Sequence, residues 1–332
     1  MNKHSLISAI QSQASQYTLR ALNSGYIPPQ ELSDIDAGII QSISGSSLRQ
    51  LKNPHKNASL LKRHLSATPG HQQDTVDHNS QVFSQALQLP TGAWRLISLI
   101  AVLEASSGLA EFLRQVMPHD SSANQLLAFI VDMDYSEFKS VLSQLKITGI
   151  FESACINMSD FITLPKALID RLVGSKVDCH TELITPLMQF KDTSILKLKD
   201  FSYLETETLW HFLDAMVNQS TVGINVLFYG TPGTGKTELS KVLADKLNAS
   251  LIAVKALGDD INEQEVFFGA RTSSSNLKLQ YHQLIQRLIS PREKNLLLMD
   301  ECEDIFEQGI SARGNGKDTL HGLLEKNPIP TI

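Results

Sequence analysis

The sequence predicts an α/β fold in its C-terminal part, with a parallel sheet flanked by helices, and a mostly helical region before it. Residues 224–229 form an apolar run of strand length, and a glycine-rich loop and helix-spaced apolar residues follow directly. A second apolar run, residues 296–299, ends in two acidic residues. This order of strand, loop and helix is typical of parallel sheets that bind ligands at the carboxyl ends of their strands.

Composition and charge exclude several classes of protein. The chain has 332 residues, of which 42% are hydrophobic and 19% charged, and its formal net charge is -6. These values exclude a disordered chain, a collagen-like chain and a polycation that coats nucleic acid. The three cysteines form no Cys-x-x-Cys pair, and the N-terminus leads into polar sequence. The sequence therefore predicts a cytoplasmic protein without a disulfide framework, a signal peptide or a membrane span.

Shifts in composition divide the chain into predicted segments. Ser, Asn, Gln and His dominate after residue 43, and helix-spaced apolar residues return near residue 89. The predicted segments are N-terminal helices (1–43), a polar basic linker with one short helix around Leu60 (44–88), a helical module (89–177), a second linker (178–200) and the α/β part (201–332).

The helical module is predicted to be winged-helix-like. Its helices, expected at 93–103, 109–116, 126–130 and 134–145, are followed by two short strands at 150–151 and 161–164 and by a helix after Pro165. The helix that would enter a DNA groove carries only Lys139 and Lys146, and acidic residues lie beside it. We therefore expect a structural or protein-contacting role rather than recognition of a DNA duplex.

A phosphate-binding loop is the strongest motif in the chain. Residues 230–237 fit the pattern G-x-x-x-x-G-K-[ST] at every fixed position. Glycines let backbone N–H groups turn towards a phosphate, and the following helix adds the partial positive charge of its N-terminus. Lys236 is predicted to reach the β- and γ-phosphates. The predicted nucleotide-binding residues are Gly230, Thr231, Pro232, Gly233, Thr234, Gly235, Lys236, Thr237 and Glu238.

The acidic pair after the second apolar run supplies the other half of the site. Asp300 is predicted to hold Mg²⁺, through water or through Thr237, whose hydroxyl can ligate the ion, and Glu301 is predicted to orient the attacking water. Glu301 and Lys236 are therefore the predicted catalytic residues. The chain has neither Asn-Lys-x-Asp nor Asp-x-x-Gly, which disfavours GTP, so the predicted cofactors are ATP and Mg²⁺.

These motifs resemble the AAA+ ATPase superfamily, specifically its AAA core, over residues 200–332. The resemblance rests on the loop at 230–237, on the acidic strand end at 296–301 and on a bacterial AAA-like segment at 323–332. It implies ATP hydrolysis coupled to remodelling of a macromolecule, most simply a protein, by a homo-oligomeric ring, and a sheet with strand order 5-1-4-3-2. Residues 267–269, Phe-Phe-Gly, lie where such proteins carry a pore loop, or are buried or packed on a neighbouring subunit.

The resemblance also implies segments beyond residue 332. The sequence ends inside the family's fourth strand, before sensor 1, the arginine finger and the helical lid. We therefore expect an N-terminal fragment with weak nucleotide binding and little hydrolysis of its own, whose first strand is an exposed edge or is covered by another segment. Two other functions stay open at this stage: an adaptor with a vestigial ATPase half, and a DNA-linked ATPase that uses the winged-helix-like module and the basic linker.

Overall fold

A computed structural model describes most of the chain. The described residues are 3–33, 35, 37–44, 57–66, 75–118, 122–147, 164, 166–254, 274–289, 293–300, 302, 322 and 324–332. The chain folds as two compact units. Met1–Leu183 belong to the first, and Ile184–Glu263 with Thr272–Ile332 belong to the second.

The first unit is helical, as the sequence predicts. The helices are α1 (Lys3–Asn23), α2 (Pro29–Ser33), α3 (Ala37–Ser44), α4 (Asn57–Ser66), α5 (Thr75–Ala86), α6 (Ala93–Ala105), α7 (Ser107–Val116), α8 (Ser122–Ile130), α9 (Tyr135–Ile147), α10 (Lys166–Val173) and α11 (Thr181–Ile184). The expected helices over 93–103, 109–116, 126–130 and 134–145 correspond to α6, α7, α8 and α9.

Helix α6 forms the centre of this unit. Nine of the thirteen residues of α6 are buried, all of them apolar except Ser98, and the helix packs against α1, α5, α7 and α10, as expected for a mostly hydrophobic helix. Within the described residues, no single helix combines the length and hydropathy needed to cross a membrane. Helices α6 and α7 meet that test only as a pair, and a bend of 107° separates them.

The region predicted as a linker, 44–88, contains more structure than the sequence indicates. The short helix expected around Leu60 is present as α4, but Thr75–Ala86 also forms a helix, α5. Its buried side includes Asn79, Ser80 and Ser84 as well as Phe83. Because most of these buried residues are polar, the sequence indicates a linker here. In the structure the buried side-chain amide of Asn79 forms hydrogen bonds with backbone groups.

Asn79 joins α5 to the end of α10. Its side-chain nitrogen donates to the carbonyl oxygens of Arg171, Leu172 and Ser175 at 3.2, 3.0 and 3.0 Å. Its side-chain oxygen accepts from the N–H of Val177 at 3.0 Å. One buried amide therefore satisfies the backbone groups that the end of α10 leaves unpaired.

Replacing Asn79 by alanine is expected to lower the free energy of unfolding of the helical unit by about 2–3 kcal/mol, because buried backbone groups lose their partner. Urea unfolding followed by the fluorescence of Trp94, in a Trp210→Phe background, measures this change. The matched control is Gln85→Ala, at an exposed position of the same helix. Equal midpoints for the two variants would contradict the role assigned to Asn79.

The described residues include helices of the predicted winged-helix-like module but not its wing. Helices α8 and α9 have the expected order, and α10 follows. The two strands of the expected wing, at 150–151 and 161–164, lie outside the described residues apart from Leu164, which is not in a strand. The wing therefore stays a prediction.

The second unit is built around a mixed sheet. Its elements are β1 (Met188–Phe190), α12 (Thr206–Asn218), α13 (Lys236–Leu247), β2 (Ser250–Val254), α14 (Ser274–Leu288) and β3 (Asn295–Leu298). Strand β2 pairs with β3 in parallel, as predicted, but β1 lies antiparallel on the other side of β2. Strand β1 falls in the predicted linker 178–200, because three residues are too few to show a strand pattern.

One segment near the C-terminus completes the sheet between β3 and the residues before the phosphate loop. Thr331 bridges Leu297 of β3 on one side and Asn225 on the other, both in parallel. The spatial order is therefore β2, β3, Thr331 and Asn225, which agrees with the order 2-3-4-1 that the resemblance implies. Residues 251, 253, 296 and 298 of the strands pack with α13 in one apolar cluster.

The strand predicted over residues 224–229 is shorter in the structure. Only Asn225 forms a bridge, and the neighbouring ladder bonds join Thr331 N to Ile224 O and Val226 N to Thr331 O. Beyond Val226 the described residues offer no ladder partner, so the segment continues as extended chain. Leu227 and Tyr229 are 66% and 90% exposed.

Candidate functional site

The phosphate loop has the backbone conformation that its glycines allow. Gly233 and Gly235 have φ angles of 81° and 87°, in the left-handed region that residues with a Cβ rarely adopt. A Cβ on Gly235 would also lie 3.4 Å from the ring of Phe201. Both glycines are among the predicted nucleotide-binding residues, and the structure gives both of them a conformational reason to be glycine.

Helix α13 begins directly after the loop. Gly235 is its N-cap residue, and no side chain of the described residues caps this end. The first N–H groups of a helix have no intrahelical partner and carry partial positive charge. The end of α13 is therefore open to an anion such as a phosphate.

Lys236, the first residue of α13, folds back over the loop. Its ammonium nitrogen donates to the carbonyl oxygens of Gly230 and Thr231 at 2.9 and 3.1 Å. A second bond within the loop joins the hydroxyl of Thr234 to the carbonyl oxygen of Thr231 at 2.9 Å. These contacts hold the loop closed on itself and keep a positive charge at its centre.

Thr237 and Asp300 come together across the site. The hydroxyl of Thr237 donates to a carboxylate oxygen of Asp300 at 3.2 Å, although the two residues are 63 positions apart. The contact forms because α13 starts, and β3 ends, at the same edge of the sheet. Hydroxyl and carboxylate oxygens are the ligands that Mg²⁺ prefers, so the donor set fits the ion that the sequence analysis expects.

Glu238, in the first turn of α13, forms hydrogen bonds with two nearby side chains. Its two carboxylate oxygens accept hydrogen bonds from Lys241 at 2.6 Å and from the hydroxyl of Ser194 at 2.7 Å. Both hydrogen bonds lower the pKa of Glu238, and the one from Lys241 makes the larger contribution. The backbone N–H of Ser194 also donates to Asp245 at 3.0 Å. The structure therefore ties the chain around Ser194 to α13, an arrangement that the motif does not indicate.

Some predicted residues lie outside the described part of the chain. Glu301, the predicted residue that orients water, is one of them, and residues 267–269 of the expected pore loop are others. Their roles stay predictions. Within the described residues, no group of three or more His, Cys, Asp or Glu side chains forms a metal site.

The side-chain amides of Asn327 and Gln286 form hydrogen bonds with backbone groups next to the phosphate loop. The sequence analysis did not identify either residue as part of the site. The side-chain nitrogen of Asn327 donates to the carbonyl oxygens of Ile224 and Ile329 at 3.1 and 2.8 Å. The amide of Gln286 exchanges hydrogen bonds with both backbone groups of Ile329, at 2.9 and 3.0 Å. Asn327 lies in the segment quoted for the family resemblance, which is the only signal that pointed to it.

Comparison with protein families agrees with this geometry. Residues 226–327 match the family model described as "ATPase family associated with various cellular activities (AAA)". The match contains the phosphate loop, α13, β3 and Asp300. This chain contains an AAA domain. The description of this family names it as a family of ATPases.

Several known proteins are similar to part of this chain. The chain is 32% identical over 130 residues to the replication factor C large subunit of Picrophilus torridus, covering 38% of this chain and 30% of that protein. It is 35% identical over 143 residues to the pachytene checkpoint protein 2 homolog of Xenopus tropicalis, covering 42% and 32%.

A third relative is the putative 26S proteasome regulatory subunit homolog of Methanothermobacter thermautotrophicus, which is 34% identical over 105 residues, covering 30% of this chain and 24% of that protein. The chain thus spans about a third or less of the length of these relatives. No solved structure gives a significant match to it.

Proposed function

We propose that the AAA domain binds ATP with Mg²⁺ and hydrolyses it, and that hydrolysis is coupled to remodelling of a macromolecule. The observation that carries the proposal is the contact of Thr237 with Asp300 beside an open helix N-terminus. A chance glycine turn would need neither a hydroxyl nor a carboxylate at these positions. Their meeting from distant parts of the sequence indicates a site built for a cation and a phosphate.

Each residue of the predicted site, including Glu301 outside the described part of the chain, has a part in the proposed reaction. The loop N–H groups and the end of α13 bind the phosphate oxygens. Lys236 turns from the carbonyl oxygens of Gly230 and Thr231 to the β- and γ-phosphates, where its charge offsets the charge that develops in the transition state. Mg²⁺, held by Thr237 and Asp300, neutralises phosphate charge when it is bound. Glu301 orients the attacking water.

The proposed substrate is a protein, and the proposed assembly is a homo-oligomeric ring in the cytoplasm. A proteasome regulatory subunit homolog and a replication factor C subunit are among the similar proteins, and their names describe parts of larger assemblies. The few lysines on α9 favour a protein substrate over a DNA duplex.

The role of Thr237 predicts a specific response to magnesium. Thr237→Ala is expected to lower the affinity for ATP about tenfold in the presence of Mg²⁺, the effect of losing one ligand or hydrogen bond. In EDTA its affinity should equal that of the unchanged chain, because the hydroxyl then has no ion to hold. Titration calorimetry in both buffers measures the difference.

Thr237→Ser is the matched control, since it keeps the hydroxyl and should keep the response to Mg²⁺. The proposal fails if Thr237→Ala retains the full effect of Mg²⁺ on ATP affinity. It also fails if the unchanged chain binds ATP no better with Mg²⁺ than with EDTA.

A further inference from the structure

The helical unit contains a polar cavity that the proposed ATPase function does not use. The cavity has a volume of about 210 Å³ and lies among α1, α5, α6 and the turn after α8. Its lining includes Gln13, Tyr17 and Arg20 of α1, Asp77 of α5, and Trp94 and Arg95 of α6. The α1 residues share one helix face because they are spaced by four and three positions.

A hydrogen-bonded network lies at the buried side of the cavity. Tyr17 donates to Ser98 at 3.3 Å, and both Ser98 and Gln13 donate to one carboxylate oxygen of Asp77, at 2.6 and 2.9 Å. The side-chain oxygen of Gln13 has no hydrogen-bond partner among the described residues, although Gln13 is only 7% exposed. A buried acceptor of this kind costs about 1–3 kcal/mol unless a donor reaches it.

Two arginines, Arg20 and Arg95, also line the cavity. Arg20 donates to the carbonyl oxygen of Ile130 at 2.9 Å, and Arg95 donates to that of Asp132. The guanidinium carbon of Arg95 also lies 5.7 Å from the centre of the Trp94 ring. Each guanidinium has five N–H donors in a planar fork, so one bond to a carbonyl leaves donors for a planar anion such as a carboxylate.

Charge and size narrow the class of ligand. Asp77 and Asp132 balance the charges of Arg20 and Arg95 among the lining residues, which favours a ligand without net charge over a polyanion such as a nucleotide. The volume of about 210 Å³ is below the 300–1,000 Å³ that is usual for drug-sized ligands. A small zwitterion meets both conditions.

We propose that this cavity binds a free α-amino acid. Its carboxylate accepts hydrogen bonds from the guanidinium groups of Arg20 and Arg95. Its ammonium group lies near the carboxylate of Asp77, to which the side-chain nitrogen of Gln13 donates. The face of Trp94 contacts the remainder of the ligand.

The test titrates the full chain with each of the twenty L-α-amino acids. Because the chain has two tryptophans, a Trp210→Phe background makes Trp94 the sole tryptophan reporter. At least one amino acid is expected to give a saturable change in Trp94 fluorescence. Its N-acetyl and its carboxamide derivatives are each expected to bind at least tenfold more weakly, because each lacks one of the two charged groups.

Two variants test the assigned contacts. Gln13→Leu and Arg20→Met are each expected to weaken binding at least tenfold, whereas Arg114→Met, at an exposed arginine of α7, should leave it unchanged. The comparison of blocked and free ligands uses unaltered Gln13 and Arg20, so it decides the proposal even if a variant fails to fold. Absence of saturable binding by all twenty amino acids, or equal binding of the blocked forms, would overturn the proposal.

Discussion

A Lys236→Ala variant is expected to bind ATP at least about 100-fold more weakly than the unchanged chain. Lys236 carries its charge at the centre of the phosphate loop, within 2.9 and 3.1 Å of the carbonyl oxygens of Gly230 and Thr231. Two charge-assisted hydrogen bonds to phosphate, worth about 1.5–3 kcal/mol each, account for a loss of this size. Equilibrium titration with a fluorescent ATP analogue measures it.

The control for this experiment is Lys246→Ala. Lys246 belongs to the same helix, but its ammonium group pairs with Glu207 at 2.9 Å and lies 4.1 Å from the centre of the Trp210 ring. The control therefore removes one positive charge from α13 without touching the loop, and ATP affinity should be unchanged. If both variants bind ATP as tightly as the unchanged chain, the assignment of the phosphate loop is wrong.

Acid is expected to destabilise the α/β unit through one buried histidine. Burial lowers the pKa of His282, on α14, from 6.5 to about 4, and neither ring nitrogen has a hydrogen-bond partner among the described residues. Between these two values the unfolded chain binds a proton that the folded chain excludes. The free energy of unfolding therefore falls as the pH falls through this window, by about 3 kcal/mol in total.

Replacing His282 by leucine isolates this contribution. His282→Leu should lose less stability than the unchanged chain between about pH 7 and pH 4. At neutral pH it should be at least as stable, because leucine leaves no buried nitrogen without a partner. Urea unfolding followed by Trp210 fluorescence, in a Trp94→Phe background, reports on this unit.

His211→Gln, at an exposed position of α12, is the control and should leave the pH profile unaltered. Parallel profiles for His282→Leu and the unchanged chain would show that His282 does not carry the acid sensitivity.

The phosphate loop and its acidic partner could be predicted because their signals are local. The loop and the start of α13 form one continuous motif, and Asp300 directly follows an apolar run that is a strand in the structure. Parallel strands present their carboxyl ends at a common edge, so two local patterns were sufficient to predict the contact of Thr237 with Asp300.

Features that depend on distant partners could not be predicted in this way. Asn79 is a polar residue in a polar stretch until the backbone of Val177, 98 positions away, is beside it. The same holds for Asn327, whose partner Ile224 is 103 positions away. Strand β1 exists because the edge of β2 accepts a partner, and its three residues carry no pattern of their own.

The position of Thr331 in the sheet has a consequence for the order of folding. The residues before the phosphate loop, Ile224 and Val226, form their ladder hydrogen bonds with Thr331. The ribosome therefore synthesises the whole loop long before it synthesises Thr331, the partner that fixes these residues in the sheet. Closure of this long-range contact is slow in comparison with helix formation. During synthesis, α13 can therefore form early, while the nucleotide site becomes rigid only after the segment around Thr331 has entered between Asn225 and β3.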